Sequence, residues 1–259
     1  MRKIISFSGK GGVGKSTLLV IMLKYLLEKF KDLNILVIDA DPDANIGDII
    51  GKEIKFKETI GGKMTVLKDK IQKQQIPLDV PKDQIIESEV FSALIEMDEF
   101  DILEMGRGEG SGCYCSVNNT LKRVIDVLSK NYDIVLIDAP AGLEYFARKT
   151  GRNVTDLVIV SDPSKMSIHT MKRILEVLKE VELKFENIWI LGNRFPENSI
   201  REILEKEVAG IGKEYVKLLG FIANSDEISK MNIVGENLLD LPNESKPYKT
   251  AKQLFSTIV

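Results

Sequence analysis

The sequence has few of the residues that build disulfide frameworks, histidine-rich metal clusters or membrane spans. Its 259 residues include two cysteines, one histidine and one tryptophan. Since both cysteines, Cys113 and Cys115, fall in one short segment, they exclude a disulfide framework. No apolar run approaches the roughly 20 residues of a membrane-spanning helix, and the chain begins in an apolar strand pattern without signal-peptide features. These absences predict a cytoplasmic protein.

A strong charge imbalance is also missing. The chain carries 36 Lys and Arg against 39 Asp and Glu, a formal net charge of −3. This balance argues against a broad nucleic-acid surface, so neither a nucleic acid nor a membrane is expected as a partner. A hydrophobic content of 44% and a charged content of 29% are typical of globular proteins. A chain of this length can bury a large core, and we expect one domain over residues 1–259.

The clearest motif is a glycine-rich loop between a strand pattern over residues 3–8 and a helical pattern over residues 18–28. Its sequence is Gly9-Lys10-Gly11-Gly12-Val13-Gly14-Lys15-Ser16-Thr17. It fits G-x-x-x-x-G-K-[ST], the phosphate loop, in which backbone N–H groups and a helix N-terminus surround phosphates. We therefore expect the whole loop to bind a nucleotide, with Lys15 on the β- and γ-phosphates, Ser16 on Mg²⁺ and Thr17 near the α-phosphate. Lys10 is unusual, because an ordinary phosphate loop needs no second cation at its start.

Strand and helix patterns alternate along the chain. Strand patterns occupy residues 3–8, 33–39, 101–105, 133–138, 156–161, 187–191 and 216–222. Helical patterns occupy residues 18–28, 82–97, 120–130, 167–181, 199–208 and those after Pro247. Apolar strands joined by helical crossovers indicate an α/β fold, here the P-loop NTPase type with a mostly parallel twisted sheet of about seven to eight strands and helices on both faces. The connection over residues 41–98, with one clear helix, is either a functional switch region or surface decoration.

Acidic residues end two of the predicted strands. Asp39 is suited to the Mg²⁺ shell, and Asp41, two residues later, to orienting a water against the γ-phosphate. Asp138 ends another strand, where an acid in a phosphate-loop protein holds Mg²⁺. Gly142 lets the following backbone move when the γ-phosphate leaves. Each aspartate alone could be a strand-end cap, but their joint placement favours a nucleotide site.

Asn193 and Arg194 follow the strand pattern over residues 187–191. The Asn amide suits an adenine edge and the Arg side chain can stack on a ring, although Asn is also a common turn residue. The guanine-selective N-K-x-D pattern is absent here, since Phe195 and Pro196 come next. The sequence thus favours ATP over GTP.

The K-G-G-x-G-K-[ST] loop, together with Asp39, Asp41 and Asp138, resembles the deviant phosphate-loop ATPases. That family includes the nitrogenase iron protein, the arsenite-pump ATPase and the MinD and ParA proteins. The resemblance implies an ATP-dependent homodimer in which Lys10 reaches the partner's ATP, like an arginine finger. It also implies that Asp41 positions the attacking water.

A narrower resemblance is carried by two local segments. Residues 110–118 read GSGCYCSVN and are similar to the G-C-Y-C-x-V-N segment of the CooC-type ATPases, which mature nickel-containing carbon monoxide dehydrogenase. Residues 138–144, with Ala141, Gly142, Leu143 and Glu144 after Asp138, also resemble that subfamily. The resemblance implies a nickel enzyme as client.

The two cysteines can bind metal on chemical grounds. A glycine-rich loop beside a predicted helix N-terminus near Asn118 favours the thiolate form. Cys113 and Cys115 supply two ligands, and a symmetric dimer supplies four, which fits Zn²⁺, Ni²⁺ or a [4Fe–4S] cluster. The resemblance implies Ni²⁺; buried hydrophobes and a redox pair are the alternatives. His169 reads as a surface or packing residue and Trp189 as core.

Two other functions stay open at this point. One is a MinD- or ParA-like positioning switch, which the acidic net charge and the lack of a basic amphipathic C-terminal helix disfavour. The other is an iron–sulfur protein of the nitrogenase iron protein type, whose cluster ligands come from well-separated cysteines, unlike Cys113 and Cys115.

Overall fold

The computed structural model describes residues 2–75, 81–106, 125, 127–147, 153–196 and 200–259. The predicted metal-binding segment over residues 110–118 and most of the predicted helix over residues 120–130 lie outside the described residues.

The described residues form an eight-stranded sheet in the order β3-β4-β2-β5-β1-β6-β7-β8. The strands are β1 Lys3–Gly9, β2 Ile35–Asp39, β3 Ile95–Glu96, β4 Asp101–Glu104, β5 Ile134–Asp138, β6 Asp156–Ser161, β7 Asn187–Asn193 and β8 Val216–Ile222. All neighbouring pairs are parallel except β3 and β4. The carboxyl ends of the parallel strands therefore share one edge of the sheet, where ligands bind in this class of fold.

Helices cover both faces of the sheet. The helices that lie within the described residues are α1 Lys15–Lys29, α2 Ile46–Ile49, α3 Ile60–Gln72, α4 Lys82–Phe91, α5 Glu144–Ala147, α6 Lys165–Glu180, α7 Ile200–Ile211, α8 Asp226–Val234 and α9 Lys246–Phe255. Short 3₁₀ helices occupy Phe56–Glu58, Ser129–Asn131 and Leu238–Asp240. No described helix is long and apolar enough to cross a membrane.

Successive side chains of a strand point to opposite faces of the sheet and pack into two separate hydrophobic cores. Ile5 and Phe7 of β1 pack on the face covered by α1 and α9, whereas Ile4 packs on the face covered by α6 and α7. The helix α1 is buried along most of its length, from Leu18 to Leu26. This burial holds the helix N-terminus at the carboxyl edge of the sheet, directly after the phosphate loop.

The predicted fold class is confirmed, and the structure corrects one part of it. The predicted helix over residues 82–97 ends at Phe91, because residues 95–96 pair antiparallel with β4. The segment over residues 41–98 holds α2 and α3 as well as α4, so the prediction of one helix there is wrong. Gly61 and Gly62 open α3, and glycine weakens the helical pattern. The Thr59 hydroxyl offsets this by accepting a hydrogen bond from the Gly62 N–H at 3.2 Å.

Candidate nucleotide site

The phosphate loop joins the end of β1 to the start of α1. Gly14 caps α1 with a φ of 93°, in the left-handed region where glycine is favoured, and no side chain caps the helix. The first N–H groups of α1 therefore point into the loop without a side-chain acceptor, which is the arrangement that binds phosphate.

A cavity of about 480 Å³ opens above this loop. Its volume falls within the range of roughly 300–1,000 Å³ that is usual for small-molecule sites. The lining comes from the loop, the turn after β2, the turn after β5, the end of β7 and the end of α8. The lining residues are Gly11, Gly12, Gly14, Lys15, Ser16, Thr17, Asp41, Asp43, Asn45, Asp48, Ile49, Ala141, Arg194, Asn232, Gly235 and Glu236. The sequence analysis missed those in the α8 region and in the turn after Asp41, because they follow no motif.

Two of the predicted Mg²⁺ residues are in direct contact. The Ser16 hydroxyl donates a hydrogen bond to Oδ2 of Asp138. The other oxygen of this carboxylate, Oδ1, is buried and has no hydrogen-bond partner among the described residues. Burial raises the pKa of Asp138 to about 6, against the lowering effects of the Ser16 hydrogen bond and the Lys15 charge.

An unpaired buried carboxylate oxygen beside a hydroxyl is a donor set that suits Mg²⁺, which prefers oxygen ligands. Among the described residues, no three His, Cys, Asp or Glu side chains are grouped to hold a metal ion. Ser16 and Asp138 therefore fit the predicted ion.

Asp39 lies next to Asp138 in the sheet but has different partners. It is fully buried, and its two oxygens accept hydrogen bonds from the backbone N–H groups of Asp41, at 3.1 Å, and Ile46, at 2.9 Å. Burial and then the charge of Asp138 raise the pKa of Asp39 well above its usual value. Asp39 thus organises the turn after β2, and its place in the Mg²⁺ shell stays a prediction.

Glu104 is a third buried carboxylate at this edge of the sheet. It ends β4, pairs in register with Asp39 and is 3% exposed. Its Oε1 accepts a hydrogen bond from the Gly47 N–H at 2.9 Å, and burial raises its pKa to about 7. The sequence analysis missed this residue, although an acid ending the apolar run DILE is the signal that identified Asp39 and Asp138.

Asp41 lines the cavity and is partly exposed. Its Oδ1 accepts a hydrogen bond from the Asp43 N–H at 3.1 Å, which closes a local turn. Oδ2 accepts no hydrogen bond from the described residues. This placement is compatible with the predicted orientation of a water.

Asn193 and Arg194 support the phosphate loop from the end of β7. The Asn193 side chain is buried and donates from Nδ2 to the Val13 carbonyl at 2.8 Å, and Arg194 donates to the Gly12 carbonyl at 3.0 Å. A Cβ on Gly14 would lie 2.5 Å from this Asn193 nitrogen, so the loop and the amide fit only with glycine there. The predicted adenine contact of Asn193 stays a prediction, while Arg194 does line the cavity.

The two lysines of the loop differ in their surroundings. Lys15 is 7% exposed and lines the cavity. Lys10 is partly exposed, and within the described part of the chain its side chain has no hydrogen-bond or ion-pair partner. Lys15 is therefore placed for the nucleotide of its own subunit, and Lys10 is a loop cation that no described side chain pairs with.

Two further residues bear out their predicted structural roles. His169 is exposed on α6. Trp189 is 6% exposed in β7, where Nε1 donates to Asp156 at 3.0 Å. Cys113 and Cys115 lie outside the described residues.

A parallel sheet with a glycine loop between its central strand and a buried helix, and with strand-end carboxylates beside it, defines a P-loop NTPase. The family model described as an AAA domain matches residues 1–190, and the chain belongs to this family. It is a P-loop ATPase, and the resemblance to the deviant phosphate-loop ATPases is confirmed by its relatives.

The proteins that are similar to this chain carry different names. The chain is 37% identical to the uncharacterized ATP-binding protein MJ0685 of Methanocaldococcus jannaschii over 99% of this chain and 98% of that protein. It is 29% identical to the carbon monoxide dehydrogenase accessory protein CooC of Rhodospirillum rubrum over 70% of each chain. The structure of the cell division ATPase MinD of Pyrococcus furiosus matches with a TM-score of 0.68 at 22% identity, covering 100% of this chain and 98% of that one. This last likeness shows the fold.

Proposed function

We propose that this ATPase is a metallochaperone. It dimerises with ATP, binds Ni²⁺ (or Zn²⁺) through Cys113 and Cys115 of each subunit, and delivers the metal to a nickel enzyme such as carbon monoxide dehydrogenase. The observation that carries the proposal is the C-x-C motif of residues 113–115, in a chain that is 29% identical to CooC. Two thiolates from each subunit provide the four ligands of a closed site.

The ATP-binding half of the proposal assigns each residue of the loop a task. Residues 9–17 bind the phosphates with their backbone N–H groups, and Lys15 neutralises charge there. Ser16 and Asp138 would hold Mg²⁺, and the ion would supply positive charge that offsets the negative charge developing on the phosphates. Asp41 orients the attacking water, Arg194 faces the adenine, and Asn193 holds the loop through the Val13 carbonyl.

Lys10 acts on the ATP of the other subunit in this proposal. Its lack of a partner within the described residues of one chain supports this, since an unpaired cation beside an anion site is available for a second subunit. ATP then stabilises the closed dimer, and hydrolysis opens it.

Met105, the second-last described residue before the cysteine segment, is hydrogen-bonded to β2 and to α3. The Met105 N–H donates to the Asp39 carbonyl at 2.8 Å, and the Gly61 N–H donates to the Met105 carbonyl at 2.8 Å. The chain that leads into the cysteine segment is thereby fastened to a strand of the nucleotide site. A fixed starting point of this kind supports communication between nucleotide and metal.

Metal analysis tests the proposal. We expect one Ni²⁺ per dimer in the ATP-bound wild type and loss of tight binding in the Cys113→Ser, Cys115→Ser double variant. The double variant should still bind ATP, which is the control for folding. Unchanged tight binding of one ion per dimer in this variant contradicts the proposed ligands.

The second candidate is a positioning switch of the MinD type. The observation that favours it is 26% identity to the septum site-determining protein MinD of Thermotoga maritima over 77% of this chain. ATP-dependent cosedimentation with DNA or anionic liposomes, undiminished in the double cysteine variant, would support this function instead. An iron–sulfur protein would be recognised by the visible absorption of protein purified without oxygen.

A further inference from the structure

Glu104 is a buried carboxylate to which the proposed function assigns no role. It is 3% exposed, and within the described residues its side chain makes one hydrogen bond, from the Gly47 N–H to Oε1 at 2.9 Å. Burying a carboxylate costs free energy that one such bond does not fully offset. A purely structural position of this kind is better filled by an apolar side chain.

Glu104 works beside Asp39 on the neighbouring strand. Asp39 accepts a hydrogen bond from the Ile46 N–H at 2.9 Å, and Glu104 accepts one from the next residue, Gly47. These two N–H groups belong to the first turn of α2, where no helical carbonyl is available to them. Two adjacent strand-end carboxylates therefore hold consecutive N–H groups of one short segment.

Gly47 suits its contact with Glu104 because glycine has no Cβ. A Cβ there would lie 2.8 Å from Oε1 of Glu104 and 2.9 Å from the Lys52 carbonyl oxygen. Any larger side chain would push α2 away from the strand ends. Glycine thus permits the close approach that the carboxylate requires.

The segment held in this way forms one wall of the nucleotide cavity. Asp41, Asp43, Asn45 and Asp48 all line it. Since Asp39 also accepts the Asp41 N–H, the position of Asp41 depends on both ends of the segment. Asp39 holds the N–H groups of Asp41 and Ile46, and Glu104 holds the next one, that of Gly47.

We propose that Glu104 is a positioning residue for ATP hydrolysis. It holds the segment of residues 41–48 against the sheet and so sets Asp41 in place relative to the γ-phosphate. This inference rests on the role proposed for Asp41. Because residues 11–17 bind the phosphates independently, loss of Glu104 should affect kcat more than KM.

The test compares Glu104→Leu, which removes the acceptor, with Glu104→Gln, which keeps an oxygen for the Gly47 N–H. We expect Glu104→Leu to lower kcat by about tenfold or more with KM for ATP changed less than about threefold, and Glu104→Gln to stay within about threefold of the wild-type kcat. The matched control is Leu103→Ala on the same strand, which creates a cavity in the core on the other face of the sheet from Ile46. An equal loss of kcat in Leu103→Ala and Glu104→Leu would overturn the proposal.

A double variant tests whether Glu104 acts through Asp41. In an Asp41→Ala background, Glu104→Leu should cause no further loss of kcat, and a fully additive loss contradicts the mechanism. If Asp41→Ala is impaired but Glu104→Leu is not, this inference alone fails. A wild-type kcat in Asp41→Ala rejects the role of Asp41 and this inference with it.

Hydrogen exchange provides a readout that does not depend on activity. The amides of Ile46 and Gly47 should exchange faster in Glu104→Leu than in wild type and Glu104→Gln. Unchanged exchange overturns the proposal. If Glu104→Leu does not fold, Gly47→Ala disturbs the same contact from the other side and should give the same pattern of kcat and exchange.

Discussion

Asp39 and Asp138 are neighbours on adjacent strands, and both are fully buried, yet their carboxylates are used differently. Both oxygens of Asp39 accept backbone N–H groups from the turn that follows β2. One oxygen of Asp138 accepts the Ser16 hydroxyl, and the other has no partner in the part of the chain that the structure describes. The same residue type at the same kind of strand end thus shapes a loop in one case and leaves a ligand atom available in the other.

The largest effect is expected where the available oxygen is removed. Asp138→Ala should lower kcat by about 1,000-fold, roughly 4 kcal/mol of transition-state stabilisation, because the Mg²⁺ position loses its buried carboxylate. Steady-state ATP hydrolysis at several Mg²⁺ concentrations measures this. Activity that high Mg²⁺ leaves near the wild-type level would show that Asp138 is not the Mg²⁺ residue.

A similar contrast separates the two lysines of the loop. Lys10→Ala should lower kcat by about 100-fold while the monomer still binds ATP, because Lys10 acts across the dimer in the proposed function. Lys15→Ala should instead weaken nucleotide binding itself. Hydrolysis rates combined with sizing in ATP distinguish the two, and normal dimerisation and hydrolysis in Lys10→Ala would contradict the role across the dimer.

For the free energy of unfolding, we expect the Asp39 variant to lose more than the Asp138 variant, the reverse of the order expected for kcat. Asp39→Ala leaves one buried N–H group, that of Ile46, and one partly buried N–H group, that of Asp41, unpaired, so we expect it to reduce the free energy of unfolding by about 2–4 kcal/mol. Asp138→Ala removes a buried carboxylate with one unpaired oxygen, so its cost without Mg²⁺ should stay below about 1 kcal/mol. Urea denaturation in the absence of Mg²⁺ and nucleotide compares the two variants. Equal losses of unfolding free energy would contradict the different roles of Asp39 and Asp138.

The smallest effect concerns the pH dependence that Glu104 contributes. Its pKa in the folded protein, about 7, lies above the usual 4.5 because of burial. The folded state then binds more protons than the unfolded state between these values, so stability must fall as pH rises from about 4.5 to 7. Without Mg²⁺, the melting temperature of the wild type should fall by roughly 5 °C more than that of Glu104→Gln between pH 5 and pH 8. Parallel pH profiles would show that Glu104 keeps an ordinary pKa.

The parts of the site that follow from local sequence patterns could be predicted from the sequence. The positions of Lys15, Ser16 and the strand-end Asp138 follow from strand, loop and helix patterns that are local in the chain. The parallel sheet followed from apolar strands alternating with helices. Each of these predictions needed only the neighbouring residues and the rule that parallel strands end at one edge.

The features that could not be predicted depend on contacts between segments that are distant in the sequence. The role of Glu104 requires the register of β4 against β2, which no local pattern reveals. The bond from Asn193 to the Val13 carbonyl joins residues 180 positions apart. The sequence pattern did not predict α3, because two glycines at its start have weak helix propensity. The Thr59 cap offsets this weakness.

The proposed link between nucleotide and metal is tested most directly by Ni²⁺ affinity in two nucleotide states. Reciprocity requires that, if Ni²⁺ strengthens ATP-dependent dimerisation, ATP must strengthen Ni²⁺ binding by the same factor. We predict that wild type binds Ni²⁺ at least about tenfold more tightly with a non-hydrolysable ATP analogue than with ADP, and that the Cys113→Ser, Cys115→Ser double variant loses this difference. Equal Ni²⁺ affinity of the wild type in the two nucleotide states would contradict the proposal.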